Sequence, residues 1–209
     1  MIISKEPDIF TQNSSSKGNQ LKWQIGQEWF KVDGLGYESL SEVVISGLLK
    51  KSTVTDYVEY EYETVLYGNV SYHACKSVHF LEKGEEFYTL NQLYWQYKGK
   101  SLYRLVWELP EEKRLSFLVD EIIKLTNLAD FGKYMTMLLE IDAIFLNEDR
   151  HLHNIAIIRK QDGTFRTSPV FDQGAALLSD IREYPVDGDI WNLIDNVKGK
   201  TFHSSTTNN

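Results

Sequence analysis

Ile141-Asp142-Ala143-Ile144-Phe145-Leu146-Asn147-Glu148-Asp149-Arg150-His151-Leu152-His153-Asn154-Ile155-Ala156-Ile157-Ile158, with Asp162-Gly163 and Phe171-Asp172-Gln173-Gly174 beyond it, is the stretch that organises this chain. An apolar run ends at Phe145-Leu146, a polar loop follows, and a second apolar run rises from Ile155 towards Asp162-Gly163. Asp-Gly between two apolar runs predicts a β-hairpin, because tight hairpin turns demand positive φ at their central positions. Asn154 lies 8 residues before Asp162 and Asp172 lies 9 after Gly163, so both side chains are expected at the same open end of the hairpin. Neighbouring strands lie about 4.8 Å apart, a spacing at which two oxygen donors can share one magnesium ion.

Asp149 precedes Asn154 in an Asp-x-x-x-x-Asn spacing. In the catalytic loop of protein kinases that Asp orients and deprotonates the attacking hydroxyl, the Asn holds a metal, and a later Asp-x-Gly aspartate holds metal against the β- and γ-phosphates. Asp149, Asn154 and Asp172 stand in that order. The spacing alone also fits ordinary turn chemistry, in which Asp and Asn are common. A preceding helix, a hairpin and Phe-Asp-x-Gly at its end make the combination more specific. Asp149-Arg150-His151-x-x-Asn154, the short hairpin and Pro169-x-Phe171-Asp172-x-Gly174 resemble the HipA-like serine/threonine kinases of bacteria, most strongly from Leu139 to Leu178. The resemblance implies an α+β, bilobal protein-kinase-like fold, with an antiparallel-sheet N-lobe carrying one helix and a mostly helical C-lobe. It further implies ATP and Mg²⁺ as cofactors, His151 as a brace of the catalytic loop, and Arg150 as a contact for a phosphate on a mobile segment.

Bulk properties agree with an intracellular enzyme. Twenty-two basic against 30 acidic residues leave a net charge of −8, which argues against a nucleic-acid partner. A single cysteine, Cys75, excludes an intramolecular disulfide framework and suits a reducing compartment; as a small apolar strand residue it belongs in a core. No basic leader with a long apolar run opens the chain, and no stretch approaches a membrane span, so the expected location is the cytoplasm.

The N-terminal lobe is expected over residues 1–86. Leu21, Trp23 and Ile25 alternate, Gly26-Gln27 turns the chain, and Trp29-Phe30-Lys31-Val32 returns, which predicts a hairpin behind the loop Asn13–Asn19. A loop in that place covers a triphosphate with backbone N–H groups in kinases, here through Ser16, Lys17 and Gly18. A polar arm without fixed structure fits the same composition. Gly18-Asn19-Gln20-Leu21-Lys22 resembles the Gly-x-Gln-x-Lys that follows a serine-bearing loop in HipA-like kinases, which implies Lys22 at the nucleotide. Lys31, flanked by apolar residues on the returning strand, is the candidate for α- and β-phosphates. After Gly34-x-Gly36 the pattern predicts a helix over 38–49, with Glu42 holding Lys31 and Glu38 as second choice. As solvated charges these residues would be unremarked, since most Lys and Glu lie at the surface.

Alternation from Tyr57 to Tyr67 and from Val70 to Phe80 around Gly68-Asn69 predicts a second hairpin, and the departure at Val78, His79, Phe80 and Leu81 is the expected hinge for adenine. The C-terminal lobe, 87–209, reads as helices over 91–97, 101–109, one opened by Pro110 and one capped by Asp130 that leads into the catalytic loop. The tail from His203 is expected to be disordered. Only 209 − 174 = 35 residues follow Gly174, whereas the resembled family continues further, implying a compact or C-terminally truncated member. An extra N-terminal subdomain would come from a separate chain.

Two other classes compete. A nucleotide-binding pseudokinase or interaction module would keep the site without transfer. A zinc hydrolase would use His151 and His153 on alternate positions beside Asp149, with further ligands to be found among His73, His79 and His203. The family resemblance implies a protein substrate, such as an aminoacyl-tRNA synthetase or another translation factor, and a helix-turn-helix antitoxin as partner; charge and hydropathy give the expectation of no direct nucleic-acid binding and no membrane. Autophosphorylation is expected at Ser14, Ser15 or Ser16, where added phosphate charge would repel a second polyphosphate.

Overall fold

Gly26, at φ 62°, and the pair Gly68 and Asn69, at φ 55° and 65°, turn the chain at the tips of two antiparallel hairpins. The first joins β1 (Lys22–Ile25) to β2 (Glu28–Val32), and the second joins β3 (Glu61–Tyr67) to β4 (Val70–Val78). Positive φ at both central residues makes the second a type I′ turn, whose twist matches that of the strands it connects. Pairing of β2 with β4 closes one sheet of order β1-β2-β4-β3. In this computed structural model residues 1–3 and 20–197 are described; the expectations for Ser14, Ser15, Ser16, Lys17 and Gly18 and for the tail from His203 lie outside the described residues.

Strand periodicity sorts the side chains of this sheet. Trp23, Phe30, Val32, Val65 and Ala74 turn to one face and form a small core with Ile3. Lys22 and Lys31 are cross-strand partners and Lys31 opposes Cys75, so all three belong to the other face, where α1 (Glu38–Leu49) packs. Glu42 of α1 is buried there at 2% exposure. Glu38 serves another purpose: its carboxylate accepts from the N–H groups of Gly34, Leu35 and Gly36 and shapes the loop entering the helix.

The strand predicted from Tyr57 begins only at Glu61. Residues 56–58 pair instead with the far half of the molecule, where Val58 donates to the Val170 carbonyl and Val170 to that of Asp56. Burial of Val58, and of Tyr57 against the larger core, outweighs continuing the alternation.

The second half is built on α2 (Leu90–Lys98), α3 (Leu102–Trp107), α4 (Glu111–Thr126) and α5 (Phe131–Phe145), whose apolar stripes enclose the main core around Leu93, Leu118, Ile122, Met135 and Leu138. A three-stranded sheet adds β5 (Glu86–Thr89), β6 (Ala156–Arg159) and β7 (Phe165–Thr167) in the order β5-β6-β7. The turn between β6 and β7 has positive φ only at Gly163, with Gly163 donating to Lys160 and Lys160 to Thr164, so it is a three-residue loop and not the two-residue turn the Asp-Gly pair suggests. Thus β7 ends at Thr167, short of Asp172. Asp130 precedes α5 without capping it, its carboxylate being drawn to Lys133 at 2.7 Å. A last short helix, α6 (Ile190–Asn196), follows. No described helix is long and apolar enough to cross a membrane.

Candidate active site

Lys31 Nζ lies 2.9 Å from Glu42 Oε1 and 2.9 Å from Asp172 Oδ1, joining strand β2, helix α1 and the Phe171-Asp172-Gln173-Gly174 segment. Burial works to lower the Lys31 pKa, and the two carboxylates override it, so the ammonium stays charged. Burial pulls Glu42 upward against the pull of Lys31. Burial acts the same way on Asp172, but Lys31, Lys22 and Arg150 overcome it and hold Asp172 well below the usual carboxylate range. Lys22 is lowered by burial and by Lys31. Two like charges opposed across a strand pair cost stability, and here they converge on the face that carries the ion pairs. The sequence candidates Lys22, Lys31, Glu42 and Asp172 are therefore one cluster.

The cluster is fastened to α1 by the backbone of the metal-binding candidate segment. Gln173 N–H donates to Glu42 Oε2 at 2.9 Å, and Ser41 Oγ donates to the Gln173 carbonyl at 2.8 Å. Asp172 itself has φ 63°, the left-handed region that Asp tolerates better than most residues. The loop before α1 clasps the chain further on: Tyr37 N–H donates to Ser179 O, Ile181 N–H to Leu35 O, and Tyr37 Oη to Leu178 O. A Cβ on Gly36 would run into the Ser179 carbonyl, so this close approach requires glycine.

Helix α5 ends at Leu146, in the left-handed conformation, and releases the loop Asn147–Asn154. Arg150 does not face a mobile segment, as the family pattern implied; it is fully buried. Its guanidinium forks onto Asp142 at 2.8 and 2.9 Å, and Nη1 donates to the carbonyls of Asn154 at 2.7 Å and Phe171 at 3.1 Å. One nitrogen thereby brings together the two chain segments that carry Asn154 and Asp172, the task the sequence reading gave to strand pairing. Asn147 Oδ1 accepts the Asp149 N–H at 3.0 Å, and Asn154 Nδ2 donates to the Asp149 carbonyl at 3.0 Å. The backbone of Asp149 is held from both sides.

His151 is buried, and that burial pushes its imidazole down to about 4, so the ring is neutral. Its Nδ1 accepts the His153 N–H at 3.3 Å, which leaves the proton on Nε2, 3.8 Å from Asp149 Oδ2. Sequence reasoning missed Asp142, Asn147 and Gln173, whose amide and carboxyl types carry no signal apart from the fold that buries them.

Oxygen donors suit magnesium. Asn154 spends its amide nitrogen on Asp149, which leaves Oδ1 an acceptor, and Asp172 is an ionised carboxylate, so the residues present fit a hard divalent cation. Zinc sites take three or four protein ligands, and among the described residues no group of three or more His, Cys, Asp or Glu is placed to hold a metal.

At the hinge, Val78 is exposed, His79 N–H donates to the Gln27 carbonyl at 2.7 Å, and His79 Nδ1 accepts from Trp29. Of the candidates for adenine, the His79 amide is therefore already committed. Phe80 instead joins Phe87 and Phe171 in an aromatic wall beside Asp172, with ring centroids 5.7 to 6.3 Å apart.

A four-stranded antiparallel sheet with one helix, set on a mostly helical half, is the bilobal protein-kinase-like architecture. The crystal structure of the Helicobacter pylori proinflammatory kinase CtkA matches the chain with a TM-score of 0.56 at 16% identity, over 94% of this chain and 66% of that one. The chain thus spans 66% of that kinase's length. No family model and no curated protein matches it.

Proposed function

We propose that this chain is an ATP-dependent serine/threonine protein kinase of the HipA-like type, passing the γ-phosphate of Mg-ATP to a protein hydroxyl. The observation that carries the reading is Lys31, held at 2.9 Å by both Glu42 and Asp172 within a kinase-like fold. Nucleotide binds between the N-terminal lobe, residues 1–86, and the C-terminal lobe, residues 87–209, against the Phe80, Phe87 and Phe171 wall. Lys22 and Lys31 meet the phosphates, and Glu42 keeps Lys31 in place. Asn154 and Asp172 hold magnesium, which neutralises charge on the phosphates when bound. Asp149 orients the substrate hydroxyl and accepts its proton as the serine oxygen bonds to the γ-phosphorus and the bond to ADP breaks. Little covalent work falls to the protein, so positioning and electrostatics carry the rate.

The resemblance to HipA-like kinases supports the finer points: cytoplasmic action, a translation factor such as an aminoacyl-tRNA synthetase as substrate, a helix-turn-helix antitoxin as partner, and self-modification in Ser14-Ser15-Ser16. The test is incubation with labelled ATP, Mg²⁺ and a cell extract. Asp149→Asn is expected to lower transfer by about 10²–10⁴-fold while nucleotide still binds, and Asp172→Asn to weaken Mg-ATP binding as well. Intact mass is expected to gain a phosphate on residues 14–16 that Asp149→Asn does not acquire. Normal transfer by both variants sinks the assignment, and ATP binding without any transfer leaves the pseudokinase reading.

A further inference from the structure

We propose that Gln173, the residue between Asp172 and Gly174, is a positioning residue that couples helix α1 to the catalytic loop; the role in catalysis rests on the kinase reading above. Gln173 is 3% exposed and uses three of its polar groups on four partners, its carbonyl also accepting the Ala176 N–H at 3.1 Å. Its N–H reaches Glu42, its carbonyl takes the Ser41 hydroxyl, and its side-chain Oε1 accepts from Asn147 Nδ2 at 3.0 Å. The other proton of Asn147 Nδ2 goes to Asp142 Oδ1 at 2.9 Å, and Asn147 Oδ1 receives the Asp149 N–H. An amide has two donors and one carbonyl, so these three bonds fix the orientation of Asn147 completely. A continuous line of contacts then runs from Lys31 through Glu42, Gln173 and Asn147 to the backbone of Asp149.

This arrangement carries a cost in stability. Gln173 Nε2 is buried with no hydrogen-bond partner among the described residues, and an orphaned buried donor is destabilising. An apolar side chain of the same length avoids that penalty. What it forfeits is the acceptor for Asn147: with one proton unmatched, the Asn147 amide is held only by Asp142 and by the Asp149 N–H itself, and its grip on that N–H loosens. Gln173→Met removes only this link, because the backbone bonds to Glu42 and Ser41 do not involve the side chain.

Gln173→Met is expected to lower kcat for transfer at least tenfold, with the KM for ATP within twofold of wild type. Hydrogen exchange at the Asp149 amide is expected to accelerate at least tenfold, while the Ile157 amide in β6 exchanges as before. In an Asn147→Ala background, where the line is already cut, Gln173→Met is expected to change neither quantity further. Unchanged Asp149 exchange in Gln173→Met, or a fully additive loss in the double variant, overturns the proposal. The exchange measurement needs no activity, so a wild-type chain that transfers no phosphate defeats the kinase reading and leaves this positioning role to be decided by exchange alone. Should Gln173→Met not fold, the wild type still decides: both Asn147 side-chain protons are expected to be protected from exchange, and rapid exchange of either overturns the link.

Discussion

Lys31 and Arg150 are both cations enclosed between separate parts of the chain, yet only one of them is left able to change partners. Lys31 is 15% exposed and meets two carboxylates, one of which, Asp172, is 29% exposed. Arg150 is wholly enclosed and meets one buried carboxylate and two backbone carbonyls. The ammonium is a point charge on a flexible stem, whereas the guanidinium fork fixes the directions of its partners. In the proposed function the first hands its charge to an incoming polyphosphate. The second holds the loop that carries Asp149 and Asn154.

Replacing each cation by methionine separates the two roles. Arg150→Met leaves the Asp142 carboxylate buried and unpaired and strips the carbonyls of Asn154 and Phe171 of a donor. Breaking a buried pair in this way costs about 3–5 kcal/mol, so urea unfolding is expected to shift by that amount. A shift below about 1 kcal/mol would place Arg150 with ordinary surface pairs and erase the contrast.

Lys31→Met is expected to act on ligand more than on fold. Glu42, already drawn upward by burial, takes up a proton when its cation is gone, which limits the loss of stability. ATP loses a charge-assisted hydrogen bond of about 1.5–3 kcal/mol, so calorimetric titration is expected to give an affinity weaker by roughly 10–100-fold. If Lys31→Met unfolds as readily as Arg150→Met while binding ATP normally, the two cations do not differ as argued.

What the sequence disclosed follows the same division. Lys31 and Glu42 were legible because a strand, a glycine turn and a helix follow each other within a short span, and local periodicity determines which face each residue takes. The helix over 38–49 was legible for the same reason. Arg150 was misread because its expected phosphate contact came from the family resemblance alone, and its burial depends on Asp142 in the preceding helix and Phe171 beyond the hairpin. Strand β5 escaped notice because four residues are too few to show alternation and its partner β6 lies far along the chain. Glu42 ranks ahead of Glu38 in the sequence, but the task that occupies Glu38, accepting from the Gly34–Gly36 backbone, was not legible there.

A third cation, Arg166, is more exposed than either and sharpens the scale at its weak end. It forks onto Glu85, in the connection between β4 and β5, at 2.8 and 2.7 Å, and Glu82 N–H also donates to that carboxylate. Glu85 is 7% exposed and Arg166 27%. The Arg166 hydrogen bonds, ahead of the Glu82 amide, hold the Glu85 carboxyl down at about 2. Because the folded value lies below the unfolded one, near 4.3 for glutamate, the ionised pair stabilises the fold fully above about pH 4.5, and the contribution fades as pH falls towards 2. Solvent reaches one partner, which limits the gain to about 1 kcal/mol. Glu85→Gln is therefore expected to unfold at lower urea than wild type at pH 6, with the gap closing by pH 2.5. Because other carboxylates titrate in both proteins, the measured quantity is the difference between the two chains at each pH. A gap of equal size at both pH values would assign the loss to packing and remove Arg166 from the series.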